Sequence, residues 1–118
     1  MVLTRVQAPA GEKTFVSIYD NGVLLRGATG RVEVLGLYQN GVQVGITGGT
    51  TWGIYYNTKL AIAIGPANQD SGYTFQMQLR NGIDYQHGPI LPNGDYELVV
   101  RYNPNSKNYT VPIRVAVP

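Results

Sequence analysis

The sequence predicts an all-β fold, a single antiparallel β-sandwich domain that spans residues 1–118. Four Asn-Gly pairs stand beside alternating or apolar runs, and Asn and Gly best tolerate the positive φ angles of tight hairpin turns. No segment shows the apolar period of an amphipathic helix. Turn-forming residues recur at roughly 8–12-residue spacing, which is typical of a sandwich.

The composition agrees with a folded β domain and restricts the partners. Charged residues make up 14% of the chain, against about 25% in an average domain, and this argues against a disordered chain. The absence of cysteine excludes disulfides and thiolate metal sites. The arginines are scattered and the net charge is only +2, so no nucleic-acid partner is predicted. No apolar run is long enough to span a membrane, so no membrane partner is predicted either.

The segment Met1–Ala10 has one arginine and lacks the apolar core of a signal peptide. We therefore expect the chain to fold in a cytoplasm, with a virion as one final location.

Eleven segments combine β-branched and aromatic residues between turn-forming residues, and are predicted to be strands. In chain order they are Val2–Gln7, Thr14–Tyr19, Val23–Arg26, Arg31–Gln39, Val42–Thr47, Thr51–Tyr56, Lys59–Ile64, Tyr73–Arg80, Ile83–Tyr85, Asp95–Tyr102 and Tyr109–Val117.

The first two Asn-Gly pairs predict hairpins with two-residue type I′ turns. The Asn21-Gly22 turn places Ile18 opposite Leu25. For Asn40-Gly41, the predicted pairs are Tyr38 with Gln43, Leu37 with Val44, and Leu35 with Ile46. The last two of these pairs lie on one apolar face, which a fixed register requires.

The third and last hairpins need longer connections. A three-residue loop Arg80–Gly82 with a G1 bulge aligns Leu79 with Ile83. Across the loop Asn103–Asn108, the predicted pairs are Tyr102 with Tyr109, Val100 with Val111, Leu98 with Ile113, and Glu97 with Arg114.

The segment Leu91–Val100, a Pro/Asn-Gly turn leading into a strand, together with the alternating Val111–Val117, resembles the closing strands of immunoglobulin-like and fibronectin-III-like domains. The resemblance implies an immunoglobulin-like sandwich, to which a jelly-roll-like sandwich is the alternative. It also implies that Tyr96 is a tyrosine-corner residue, whose hydroxyl holds the turn. The sequence departs from antibody-type domains because Trp52 has no disulfide to pack against.

The predicted strand segments Val32–Tyr38 and Lys59–Ile64 are apolar on both faces, whereas a two-layer sandwich normally exposes one face of each sheet to water. We therefore predict that they contact another subunit or a larger assembly, with small residues permitting close approach. The predicted interface residues are Val32, Val34, Gly36, Tyr38, Ala61 and Ala63. The alternative is that loops of the same chain cover this face.

Aromatic residues on the predicted strands and loops could instead stack on sugar rings. The candidate stacking residues are Trp52, Tyr55 and Tyr85, and the alternative is that they belong to the core.

Catalytic chemistry has few candidate residues. His87 is the only histidine and no serine lies in a nucleophile elbow. Three of the seven carboxylates, Asp20, Asp70 and Asp95, lie at turns, where aspartate bonds its own backbone. Asp70 is the best single candidate for a calcium ligand, but its loop has one carboxylate and calcium takes six to eight oxygen ligands. No enzyme activity, metal site or cofactor is predicted.

The favoured function is that of a non-catalytic structural or interaction protein. It would assemble with itself or dock on a larger protein shell, as decoration, head and tail proteins of phage and virus particles do. This is an analogy of fold and composition. The alternative is a small carbohydrate-binding module or lectin, with glycans as partners.

Overall fold

The computed structural model describes residues 6–7, 13–28, 30–47, 53–56, 59–66, 72–79 and 91–115. Within these ranges every regular element is a strand and none is a helix, which confirms the all-β prediction. The strands are β1 (Val6–Gln7), β2 (Lys13–Val16), β3 (Tyr19–Asp20), β4 (Val23–Leu24), β5 (Val32–Gln39), β6 (Val42–Thr47), β7 (Gly53–Tyr56), β8 (Lys59–Pro66), β9 (Phe75–Leu79), β10 (Gly94–Tyr102) and β11 (Lys107–Val115).

Nine of these strands form one sheet, in the order β1-β11-β10-β5-β6-β7-β8-β9-β2. All neighbours in it are antiparallel except β1 and β11, which run parallel. Strands β3 and β4 form a separate two-stranded ribbon.

The short connection from β1 to β2 requires this sheet to curl. The two strands lie at opposite edges, and nine flat strands would hold those edges about 38 Å apart. Six residue steps from Gln7 to Lys13 span at most about 21 Å. The sheet is accordingly rolled into a half-barrel, a shape compatible with the predicted sandwich.

The core fills the concave side of the half-barrel. Its buried side chains are aliphatic and aromatic, and strands from both halves of the sheet contribute them. The largest of those with under 2% exposure are Phe75, Ile18, Leu37, Ile54, Ile62, Met77, Leu91, Leu98 and Ile113.

The first two Asn-Gly turns have the predicted geometry. Asn21 and Asn40 both have φ of 52°, and the glycines that follow have φ of 77° and 78°, so each pair makes a type I′ turn. The Leu25 amide donates to the Ile18 carbonyl at 2.9 Å, and Tyr38 pairs with Gln43. These two predicted registers are confirmed next to the turns.

Farther from the turns, β-bulges change the register. One residue is left without an opposite partner in each of three pairs: Leu35 of β5 against β10, Val44 of β6 against β5, and Ala61 of β8 against β7. A bulge inserts one residue and so exchanges the faces of the residues beyond it. The predicted pairing of Leu37 with Val44 is therefore wrong, since Leu37 pairs with Gly45.

The bulges in β5 and β8 also explain why these two strands are apolar on both of their predicted faces. Val34 and Leu37 are three residues apart, yet both point into the core because Leu35 is the extra residue between them. Ala61 and Ile62 are adjacent and both fully buried at the bulge in β8. Each strand thus buries side chains in the same core on both sides of its bulge. The positions that fill the core change at the bulge, from even to odd residue numbers in β5 and from odd to even in β8.

The predicted register of the last hairpin is wrong by two residues. Tyr102 pairs with Lys107, not Tyr109, and Arg114 lies opposite Asp95, not Glu97. The loop is shorter than predicted, because Ser106 takes a φ of 58° and its amide donates to the Tyr102 carbonyl at 2.9 Å. A slip of two residues keeps every side chain on its predicted face. The Arg114 guanidinium pairs with the Asp95 carboxylate at 2.9 Å.

The loop Arg80–Gly82 and the predicted strand Ile83–Tyr85 lie outside the described residues. At the fourth Asn-Gly pair, β10 begins at Gly94. The buried Tyr96 donates its hydroxyl to the Pro92 carbonyl at 2.7 Å, which is the contact that the tyrosine-corner resemblance implies. Burial raises the pKa of the Tyr96 hydroxyl, with a smaller contribution from Tyr56.

Replacing Tyr96 with phenylalanine should lower the free energy of unfolding by about 1 kcal/mol, because the Pro92 carbonyl loses its donor while the ring stays packed. Urea denaturation measures this change. Tyr55→Phe is the matched control, since the Tyr55 side chain is exposed, and it should shift the midpoint little. Equal effects of the two substitutions would contradict a stabilising role for the corner.

Candidate interaction surface

Charge is distributed unevenly over the sheet. Strands β6, β7 and β9 contain no charged residue, and β8 contains only Lys59, at its first position. Strands β10 and β11 together carry five charged residues. We call the convex side of β6 to β9 the uncharged face. Depletion of charge is a compositional mark of the centre of protein interfaces.

An exposed apolar pair occupies one part of the uncharged face. Ile46 of β6 lies directly opposite Tyr55 of β7, and their exposed fractions are 61% and 37%. Ile46 was predicted to face the core with Leu35, and this is wrong because the bulge at Val44 turns Ile46 outward. Cross-strand neighbours of this kind form one continuous contact surface. We call Ile46 and Tyr55 the apolar pair.

A shallow groove crosses the other part of the uncharged face. Its volume is about 170 Å³, and it lies along β8 and β9, where it is lined by Ala63, Ile64, Gly65, Gln76, Met77 and Gln78. A Cβ atom on Gly65 would lie 3.1 Å from the Gln76 amide nitrogen, so the absence of a side chain at Gly65 makes room for that amide. We call this groove of six lining residues the amide groove.

An aromatic contact lies beside the amide groove. Phe15 of β2 pairs with Gln76, which in turn pairs with Gly65, so the three residues form one lateral row. The Phe15 ring is 59% exposed, and its centroid lies 4.8 Å from that of Tyr73. Phe15, Gln76 and Gln78 were not among the predicted site residues, although a Gln-x-Gln alternation between buried residues indicates a polar outer face.

The six predicted interface residues separate into two groups. Val32, Val34 and Ala61 are buried in the core of the chain itself, so they offer no side-chain surface to a partner. Of the other three, Gly36 is also buried, and Tyr38 and Ala63 are partly exposed. The position of Gly36 is covered by the Gln43 and Tyr38 side chains.

Of the predicted stacking residues, Tyr55 lies exposed on the uncharged face. Trp52, Tyr85, His87 and Asp70 lie outside the described residues. Within the described ranges, no group of three or more His, Asp or Glu side chains could hold a metal ion.

A polar network joins the β3–β4 ribbon to the β10–β11 turn. The Tyr109 hydroxyl donates to the Asp20 carboxylate at 2.7 Å and accepts from the Asn105 side-chain amide at 2.9 Å. The Lys107 ammonium lies 3.7 Å from the same carboxylate. The bond from Tyr109, followed by the charge of Lys107, lowers the pKa of Asp20. Burial, followed by the bond to Asp20, raises the pKa of Tyr109. The network positions the ribbon.

Asp20 should make folding stability depend on pH in the acid range. Because its folded pKa lies below the ordinary 3.8, its contribution is complete above that value and is lost as pH falls through the folded pKa. We expect the difference in unfolding free energy between the natural chain and Asp20→Asn to shrink over that window in urea titrations. Tyr109→Phe removes only the hydroxyl. In a chain that carries this substitution, the effect of Asp20→Asn on the unfolding free energy should be smaller. Parallel pH profiles for the natural chain and Asp20→Asn would contradict this assignment.

Comparisons with protein-family models, with curated proteins and with solved structures gave no match. Among the described residues, none forms a helix with the length and apolarity that crossing a membrane requires.

Proposed function

We propose that the chain is a non-catalytic structural or interaction protein that assembles with itself or docks on a larger protein shell, such as a phage or virus particle. The observation that carries the proposal is the apolar pair, which is exposed on a sheet face whose strands are almost free of charge. Burial of apolar surface from such a face against a partner is favourable by about 25 cal/mol per Å². An aromatic beside an aliphatic residue is a typical interface anchor.

The size of the face favours repeated weak contacts. Four strands spaced about 4.8 Å apart and about five residues long present roughly 300–400 Å². A standard interface buries about 800 Å² on each partner. One contact of this size gives weak association, and many identical contacts in a shell add up through avidity. This agrees with a component of a large assembly better than with an isolated, tight dimer.

We also propose that the sheet follows the immunoglobulin-like arrangement. The order β11-β10-β5-β6 corresponds to strands G, F, C and C′ of such domains, and β2-β9-β8 corresponds to B, E and D. The bond between the Tyr96 hydroxyl and the Pro92 carbonyl, at the start of the strand equivalent to F, supports the same proposal.

Sedimentation velocity over a series of protein concentrations tests the self-assembly proposal. The sedimentation coefficient of the natural chain should rise with concentration, and Ile46→Glu should abolish the rise because a charge is placed in the contact. Val42→Glu is the matched control. Val42 lies in the same strand and is 63% exposed, but the bulge at Val44 puts the two side chains on opposite faces.

The control variant should associate like the natural chain. Self-assembly through the apolar pair would be contradicted if the natural chain stayed monomeric at every concentration. It would also be contradicted if Ile46→Glu and Val42→Glu lost association equally.

A further inference from the structure

We propose that Asn21 is a site of spontaneous deamidation in the folded chain, and that the contact between Asp20 and Tyr109 controls its rate. The site lies on the β3–β4 ribbon and does not depend on the assembly proposed above. Asn21 precedes Gly22 at the exposed tip of this ribbon. A glycine after asparagine leaves the backbone amide between them without steric cover, so this amide can attack the asparagine side chain.

The reaction needs only the chain and water. The Gly22 nitrogen attacks Asn21 Cγ, a C–N bond forms, and the side-chain nitrogen leaves as ammonia with the proton that the Gly22 amide gives up. Water then opens the resulting five-membered imide at one of its two carbonyl carbons and restores the Gly22 amide. Opening at Cγ gives aspartate, and opening at the backbone carbonyl gives isoaspartate, whose main chain passes through Cγ.

The closed turn prevents this attack. Ring closure requires Cβ of Asn21 and the Gly22 nitrogen to lie on the same side of the Cα–C bond of Asn21. Asn21 has a φ of 52° and Gly22 a φ of 77°, and the positive ψ that goes with these angles in a type I′ turn holds the two atoms nearly opposite each other. The reaction therefore proceeds while the turn is open, and its rate measures how often the turn opens.

The Asn40-Gly41 turn provides an internal comparison, because it is of the same type and its asparagine has the same φ of 52°. Both asparagines are exposed. The Asn40 turn joins β5 and β6, which are eight and six residues long and lie within the nine-stranded sheet. The Asn21 turn joins strands of two residues each, in a ribbon outside that sheet. Elements with few paired residues open most readily, so Asn21 should react faster than Asn40.

The contacts of Asp20 restrain the tip of the ribbon. Asp20 is adjacent to Asn21, and its carboxylate accepts from the Tyr109 hydroxyl at 2.7 Å and lies 3.7 Å from the Lys107 ammonium. The turn cannot open fully while these contacts hold. Deamidation adds a carboxylate beside that of Asp20, which repels it, and isoaspartate lengthens the main chain of a two-residue turn. Each product disfavours the closed form, so the reaction loosens the ribbon permanently.

Peptide mapping by mass spectrometry tests the proposal on the full chain, incubated in mildly alkaline buffer with and without urea. The change in mass when NH₂ is replaced by OH identifies each product. In the folded natural chain, Asn21 should deamidate at least about threefold faster than Asn40, whereas in urea the two rates should be similar and higher. A folded-state rate at Asn21 that is no higher than that at Asn40, or that equals the rate in urea, would overturn the proposal.

The variant Tyr109→Phe tests the controlling contact, because it removes the hydroxyl that holds Asp20 and keeps the ring. It should raise the Asn21 rate roughly three- to tenfold, the effect of one lost hydrogen bond on the opening equilibrium, and leave the Asn40 rate unchanged. Tyr55→Phe is the matched control and should change neither rate. An Asn21 rate that Tyr109→Phe does not raise, or a rise that Asn40 shares equally, would overturn local control by this contact.

Discussion

Replacement of Thr74 with valine is expected to lower the free energy of unfolding by about 2–4 kcal/mol, although the two side chains have nearly the same shape. Thr74 is 1% exposed, and among the described residues it is the one buried polar side chain. Its hydroxyl donates to the Leu25 carbonyl at 2.7 Å and accepts from the Ile18 amide at 2.9 Å. A single side chain thus satisfies one backbone group on each side of the β3–β4 ribbon.

The cost arises because valine fills the space but leaves both backbone groups without a partner. Each unsatisfied buried group costs about 1–3 kcal/mol, and whole domains are stable by only about 5–15 kcal/mol. Ile18 and Leu25 are themselves buried, so water cannot replace the hydroxyl without opening the core. Urea denaturation, with the slope unchanged and the midpoint lowered, is the measurement.

Thr74→Ser is the control for this experiment. It keeps the hydroxyl and removes one methyl group, so it should cost only about 1 kcal/mol. If the valine variant were as stable as the serine variant, the two hydrogen bonds would contribute nothing to stability, and the ribbon would be held by apolar packing alone.

The residues near the Asn-Gly turns show what local sequence can predict. The backbone preferences of Asn and Gly fix the turn, and the turn fixes the first pairs, as Tyr38 with Gln43 and Ile18 with Leu25 illustrate. The bounds of β6 were predicted to the residue. Information of this kind is local and depends on the φ angles of two residues.

The sequence could not predict the bulges, because an apolar strand gives no sign of where its alternation changes. Val34 and Leu37 both suit the core, and only the partner strand decides which residue between them is extra. The prediction of a partner contact at Val32, Val34 and Ala61 followed from reading these strands without bulges. One local signal was present at Gly45, since a glycine inside a strand often marks a bulge.

The last hairpin shows a second limit. Its two registers differ by two residues, and the period of a strand is also two, so the hydrophobic pattern fits both equally well. The turn decides between them, through the left-handed Ser106 and the Asn105 side chain, which accepts from the Lys107 amide at 3.0 Å. The uncharged face was likewise visible only once β6 to β9 were known to be neighbours.

Replacement of Gly45 with alanine is expected to lower the free energy of unfolding by about 1–3 kcal/mol, since it overpacks the core at the bulge. A Cβ atom there would lie 2.6 Å from Ile54 Cγ2 and 3.0 Å from Leu37 Cβ. Both neighbours are fully buried, so neither side chain can move aside without disturbing the packing around it. The same substitution in open space should change little.

Gly72→Ala supplies that comparison, because nothing lies within 4 Å of the Cβ position of Gly72, and its effect should stay within about 0.5 kcal/mol. The double variant Gly45→Ala with Ile54→Leu makes the argument specific, since leucine has no methyl group in place of Ile54 Cγ2. We expect the double variant to be more stable than the sum of the single effects predicts, which thermal or urea unfolding measures as a coupling free energy. Strict additivity would mean that the contact with Ile54 is not the source of the strain, and that β5, through Leu37, carries it instead.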